Sequence, residues 1–184
     1  MNEDLEQYLS TSTKLDSIEV VWGEGTLPVK ITTYLSSTLA PERYISSARS
    51  IVFKGNLVLL ISQENGHQYI LPGGRLELEE SPLEALQREI LEETGWTVTN
   101  IKHFSFMHLH YLFSKPDGFK YPFPDSIWSI FISEAVEYKP EMIIHDDWVD
   151  DSELRDIIEV QQLPLERGEL LLFDEALKFR EIRS

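Results

Sequence analysis

Gly74-Arg75-Leu76-Glu77-Leu78-Glu79-Glu80-Ser81-Pro82-Leu83-Glu84-Ala85-Leu86-Gln87-Arg88-Glu89-Ile90-Leu91-Glu92-Glu93-Thr94-Gly95-Trp96 is the stretch that decides how this chain folds. Ser81 is a good helix N-cap, Pro82 suits the first helical position, and Glu84 completes a capping box. Gly95 is a ready stop, because it reaches the left-handed backbone of a helix terminus without strain. The spacing predicts a helix over 81–94. At 100° per residue, Leu83, Leu86 and Ile90 fall within about 60° of one another, the expected core-facing stripe. Glu89, Glu92 and Glu93 fall within about 100° of one another, expected on an adjacent face.

Three carboxylates in one turn repel one another, and they sit where the helix dipole disfavours anions. A sequence shaped only for helix stability would avoid this. A divalent cation removes the penalty, and oxygen-only ligands suit Mg2+ or Mn2+ better than zinc. Pro72-Gly73-Gly74 lets the backbone approach closely, so that a glycine carbonyl can add a ligand. The helix alone is equally compatible with a solvated acidic face.

Outward from the helix, Tyr69-Ile70-Leu71 reads as a short strand stopped by Pro72. Ile45 to Phe53 and Leu57 to Ser62 read as strands around Lys54-Gly55-Asn56. Thr97 onward and Ile127 to Ala135 read as strands joined by a Pro- and Gly-containing loop over 115–125. A short helix is expected from Ser152 to Val160, and a final amphipathic one from Leu165 to Ile182. Before all of this lie a short helix, with Leu5, Tyr8 and Leu9 at helical spacing, and a hairpin, Ile18–Trp22 and Thr26–Tyr34. The fold class is α/β of the α+β kind, an αβα sandwich with a mixed sheet. Residues 1–44 form an N-terminal extension and 45–184 the main domain. The hairpin is expected to cover a sheet edge or to build a homodimer interface.

Composition narrows the function. The chain has 184 residues, a formal net charge of -16 and no cysteine. That excludes disulfides, zinc-thiolate sites and cysteine nucleophiles. The acidity argues against binding a nucleic acid duplex and against a polybasic membrane contact. No apolar run approaches a membrane span, and the acidic N-terminus has no apolar core of a signal peptide. A cytoplasmic protein is expected. An acidic chain that handles phosphates needs a cation between the two.

The quoted stretch resembles the Nudix box, G-x5-E-x7-R-E-U-x-E-E-x-G-U with U a bulky apolar residue. Gly74, Glu80, Arg88, Glu89, Glu92, Glu93 and Gly95 meet every fixed position, and Ile90 and Trp96 fill the U positions. The resemblance to Nudix (MutT-type) hydrolases implies a Mg2+- or Mn2+-dependent pyrophosphohydrolase. Such an enzyme cleaves a nucleoside diphosphate linked to a further group X, or a nucleoside triphosphate, by water attack at phosphorus. It implies Glu89 and Glu93 as the main metal ligands. Glu92 would be a ligand or would polarise the attacking water, and the Gly73 turn would present a carbonyl to metal. Gly74, Glu80, Arg88 and Gly95 would be structural, with Arg88 free to pair with Glu84 or Glu92 at i,i+4. The general base is left open between a helix glutamate and Asp117, Asp125, Asp146 or Asp147.

Substrate contacts are expected from Tyr111, Tyr121 and Phe123. Tyr121-Pro122-Phe123-Pro124-Asp125-Ser126 partly resembles a tract of NADH pyrophosphatases. Tyr111 lies near where dinucleoside polyphosphate hydrolases carry a specificity tyrosine. NADH and dinucleoside polyphosphates are therefore alternative substrates, although a proline-stiffened loop and a packed tyrosine explain the same residues. His108 and His110 alternate on one strand face and read as satisfied wall residues. The alternative from another class is a Nudix-fold module that senses a nucleotide metabolite without cleaving it. Such modules usually lose a box carboxylate, and this chain keeps all three.

Overall fold

Helix α1 (Glu3–Thr11) opens the chain and buries Leu5 and Tyr8. Strands β1 (Thr13–Trp22) and β2 (Leu27–Leu35) follow as an antiparallel hairpin, longer at its open end than the sequence indicates. Next come β3 (Ile45–Lys54), β4 (Leu57–Ser62), β5 (Gln68–Tyr69) and β6 (Gly73–Arg75). Helix α2 (Pro82–Thr94) separates these from the long strands β7 (Trp96–Tyr111) and β8 (Asp125–Tyr138). The chain ends with β9 (Asp151–Asp156), α3 (Ile157–Val160) and α4 (Arg167–Glu181). This computed structural model describes residues 2–23, 25–63, 66–144 and 149–181. Among them no helix is long and apolar enough to cross a membrane.

The chain divides into two compact units, Met1–Ser47 with His103–Ile130, and Ala48–Lys102 with Phe131–Ser184. In the first, the strand order is β1-β2-β7-β8. The hairpin adds to a sheet edge, with Val29 opposite Tyr111 and Leu35 opposite Ser105. Tyr8 packs on Phe106 at 4.7 Å between ring centroids, and Phe106 stacks on Tyr34 at 4.9 Å. Trp22 of β1 stacks on Trp128 of β8 at 5.9 Å. Three strand spacings would hold those strands about 14 Å apart in a flat sheet, so this sheet curls.

In the second unit β4 carries β3 and β5, and β9 runs along its full length, from Leu57 opposite Asp156 to Ser62 opposite Asp151. Helix α2 lays Ala85, Leu86 and Ile90 on Ala48, Val52, Leu59, Val98 and Phe131. Two expectations are corrected here. Residues 152–156 are strand, not helix: β4 offers an unpaired edge whose backbone groups need partners, and Leu154 packs against the core. Only Ile157–Val160 is helical, capped by the Asp156 side chain. Leu83 is 45% exposed and lies outside the core stripe, which is formed by Pro82, Ala85, Leu86, Ile90 and Thr94.

Candidate active site

The capping box is formed as the sequence indicates. Glu84 N–H donates to Ser81 Oγ, and the Ser81 N–H donates to Glu84 Oε2 at 2.9 Å. The Ser81 hydroxyl also donates to Glu84 Oε2, at 2.6 Å, and with the Ser81 N–H it holds the Glu84 carboxyl below its usual range. At the far end Gly95 takes φ 71° and closes the helix onto Leu91 O. Glu84 is thus committed to the cap, and Arg88 turns to other acceptors. Its Nε and Nη2 grip the two oxygens of Glu80 at 2.8 Å each, and Nη2 also donates to Arg75 O at 3.1 Å. Nη1 donates to Glu89 Oε1 at 2.9 Å and Glu92 Oε2 at 3.2 Å. Arg88 therefore laces the connection after Gly74 to the helix. Its hydrogen bonds to Glu80 push the guanidinium pKa up and hold the Glu80 carboxyl down.

The direction of the glutamates differs from expectation. Counted at 100° per residue from Leu83, Glu89 lies at about 240° and Glu93 at about 280°. The buried residues of α2 span roughly the arc from 200° to 20°, so both carboxylates leave the helix on its buried side. The Glu89 side chain is 20% exposed and that of Glu92 is 32%. Burial pushes the Glu89 carboxyl up, against the pull of Arg88.

What receives these carboxylates is the glycine turn. Gly73 N–H donates to Glu93 Oε2 at 2.8 Å. Gly73 has φ 125°, and a Cβ there would stand 2.4 Å from Ala48 O. A Cβ on Gly74 would stand 2.3 Å from the Glu89 carboxylate carbon. Gly73 accepts no side chain, and one on Gly74 would push the Glu89 carboxylate aside, so backbone and carboxylates lie in direct apposition.

Among the described residues no three His, Asp or Glu side chains form a ready-made metal cage. The donor set still suits a hard cation. It is all oxygen, one guanidinium serves several carboxylates, and Mg2+ commonly binds through one or two carboxylates while keeping waters. Glu89, Glu92 and Glu93 with the glycine-turn carbonyl are the groups able to hold it.

Sequence reasoning missed Arg49 and Glu169. Arg49 Nη1 donates to Leu71 O at 3.1 Å, and its guanidinium faces Glu93, Glu89 and Glu169 electrostatically. Burial lowers its pKa. A charged residue inside the apolar strand Ile45–Phe53 was the available signal.

Tyr111, Asp117, Tyr121, Phe123 and Asp125 lie in the first unit. Asp125 Oδ1 accepts from His108 Nε2 and His110 Nδ1, at 2.8 Å each. Burial raises the Asp125 carboxyl, but the two imidazoles outweigh it and the net shift is downward. Asp117 is exposed, and Asp146 and Asp147 lie outside the described residues. Tyr111 is buried and stacks on Phe123 at 5.7 Å, while Tyr121 meets Phe119 edge-on at 5.6 Å.

A family model described as NUDIX domain matches residues 43–176. The chain is 42% identical over 50 residues to a "Probable DHNTP pyrophosphohydrolase" of Lactococcus lactis, covering 27% of this chain and 30% of that protein. It is 33% identical over 104 residues to "Nudix hydrolase 17, mitochondrial" of Arabidopsis thaliana, covering 54% and 52%. The chain thus spans about a third to a half of the length of these curated relatives. Among solved structures, a pyrophosphohydrolase of Bacillus subtilis aligns with a TM-score of 0.53 and 20% identity, over 83% of this chain and 84% of that one. That last likeness concerns the fold alone.

Proposed function

This chain belongs to the NUDIX domain family, and we propose that it hydrolyses a pyrophosphate bond of a small nucleotide-type substrate. The substrate is a nucleoside diphosphate carrying a further group, or a nucleoside triphosphate. The observation that carries the reading is the apposition of Glu89 and Glu93 to the Gly73–Gly74 turn, in a cluster with more carboxylates than guanidinium can balance. Mg2+ or Mn2+ bound there would neutralise phosphate oxygens and lower the pKa of a bound water. Glu89 and Glu93 would hold the cation, and the Gly73 carbonyl would add an oxygen ligand. Glu92, more exposed than Glu89, would take the proton of the attacking water or add a ligand. Arg88 and Glu80 keep the turn against the helix, so that little remains beyond placement and charge stabilisation.

The test is a panel of nucleoside triphosphates, sugar nucleotides, dinucleotides including NADH, and DHNTP, each with Mg2+ or Mn2+. Phosphate or nucleotide release is measured, with Glu93→Gln as control. Release from one member, lost in the control, is the expected result. Binding is read separately: a cation at about a hundred times its Kd should raise the melting temperature by roughly 5–10 °C. Ca2+, with its looser coordination, should not support turnover. Cation binding without cleavage of any panel member would favour a sensing module. No thermal shift at millimolar cation would return the cluster to a solvated acidic surface.

A further inference from the structure

The five residues Ile70–Gly74 lead from β5 into the glycine turn, and each is fixed by a group from another element. Leu71 O accepts from Arg49 Nη1, Pro72 O accepts from Ser50 N–H at 3.0 Å, and Gly73 N–H donates to Glu93. Gly74 lies directly against the Glu89 carboxylate. That leaves Ile70, the first of the five. It is fully buried, and β5 ends at Tyr69, so no strand partner receives its N–H. The acceptor is Glu169 Oε1 of α4, 99 residues away, at 3.1 Å.

Glu169 is an expensive choice for that place. It is only 6% exposed, and its Oε2 is buried with no hydrogen-bond partner among the described residues. A buried carboxyl without full hydrogen bonding is destabilising, and a leucine or methionine would serve α4 packing better. Its neighbours in α4, Leu172 and Phe173, are buried apolar residues, so packing does not call for a carboxyl. What Glu169 supplies is an acceptor for the Ile70 N–H, besides the hydrogen bond it takes from the Glu166 backbone at the start of its own helix.

We propose that Glu169 is a positioning residue for the cation site: by holding Ile70 it sets the start of the turn whose far end meets Glu89 and Glu93. The proposal rests on the metal reading above. Glu169 touches neither cation nor substrate; it acts through Ile70–Gly74. The acceptor oxygen is what matters, not a fixed charge. Burial pushes this carboxyl up to about 7, so at neutral pH much of it is already neutral.

The experiment compares wild type, Glu169→Gln, which keeps the acceptor, and Glu169→Met, which removes it at similar length. Mn2+ affinity is measured by titration on the substrate-free protein, and amide hydrogen exchange is followed at Ile70. Loss of a supporting partner of a ligand typically weakens metal binding 10- to 100-fold. Glu169→Met should weaken Mn2+ by at least about tenfold and speed Ile70 exchange, while Glu169→Gln stays within about threefold of wild type. Equal affinity in Glu169→Met and wild type overturns the proposal, and so does a loss in Glu169→Gln as large as in Glu169→Met. If the Met variant does not fold, wild-type exchange decides: an Ile70 amide exchanging as fast as exposed loop amides overturns the proposal. Failure of wild type to bind Mn2+ removes the metal reading and this proposal with it, whereas failure confined to the variants leaves the metal reading standing.

Discussion

Each unit of the molecule contains a polar cluster that a sequence reader would single out, and the two are built on opposite accounts. In the second unit Arg88 serves three carboxylates, Glu80, Glu89 and Glu92, while Glu93 stands next to the same turn and a second guanidinium, Arg49, faces Glu93 and Glu89. Acceptors exceed donors, and negative charge exceeds positive. In the first unit one carboxylate, Asp125, receives two imidazoles on a single oxygen. There the donors suffice. A buried cluster that closes its own hydrogen bonds needs nothing from outside, whereas one with surplus acceptors is strained until a cation arrives. The balance of donors and acceptors, more than the presence of His or Glu, is what would separate a binding site from a structural knot.

The sharpest way to break that comparison is to remove charge from the surplus cluster. Glu89→Gln and Glu93→Gln each relieve repulsion, so the metal-free protein should melt no lower than wild type. Turnover on a substrate found in the panel should fall by about two orders of magnitude or more, since each variant removes a charge that the cation needs. Thermal unfolding and steady-state kinetics on the same preparations check both halves. A Glu93→Gln enzyme with near-normal turnover would move the site elsewhere.

The balanced cluster should respond in the reverse way. Asp125→Asn leaves a buried imidazole donor facing an amide, which should destabilise by about 3 kcal/mol. The melting temperature should then drop by roughly 6–12 °C. Turnover per folded molecule should change little. If the variant instead melts normally and loses turnover a hundredfold, Asp125 is the general base and the cluster is chemical after all.

These two clusters were not equally legible in the sequence. The capping box, the stop at Gly95 and the box spacing are local, set by residues within a few positions of one another, and the structure keeps them. The inward direction of Glu89 and Glu93 is also local in principle, but it was judged against Leu83. That residue lies in the first turn and is exposed, so the true buried arc is centred about 70° away from it. The Asp125 cluster depends on the pairing of β7 with β8, which joins residues 15 and 17 apart, and no periodicity reports a register. Glu169 and Ile70 are farther still, and Ser152–Asp156 becomes a strand only because β4 has an edge to fill. Local chemistry was readable, and long-range partners were not.

Glu169 offers a third buried polar group on which to sharpen the contrast. Its carboxyl is raised from 4.5 to about 7, chiefly by burial, so the fold prefers the protonated form. Stability from that preference is fully present below pH about 4.5 and is lost as pH rises through about 7. Glu169→Gln resembles the protonated group and lacks this loss. The variant should therefore melt close to wild type at pH 4.5 and a few degrees above it at pH 8, by differential scanning calorimetry. A gap that is constant with pH would mean that folding leaves the pKa of this carboxyl unchanged.

The smallest effect is expected from the aromatic cluster in the loop between β7 and β8, whose rings carry no charge and so test whether a cluster can be closed in packing and still open in function. Tyr111, Phe113, Phe119, Tyr121 and Phe123 pack on one another. Phe123 meets Tyr111 at 5.7 Å and both Phe113 and Phe119 at 5.9 Å. Phe123→Ala removes three ring contacts and should cost about 2 kcal/mol of stability. Tyr121 meets Phe119 at 5.6 Å and is half-buried, so Tyr121→Ala should change the melting temperature much less. If this loop selects the substrate, as the sequence reading expects, Tyr121→Ala should raise KM about three- to tenfold for the true substrate with kcat nearly unchanged, the pattern of lost uniform binding. Preference between substrates should blur in the same variant, since a small generic pyrophosphate has no ring to clamp. If Tyr121→Ala matches wild type in KM on every substrate while Phe123→Ala only lowers stability, the loop is closed in both senses. Its rings then serve one another alone.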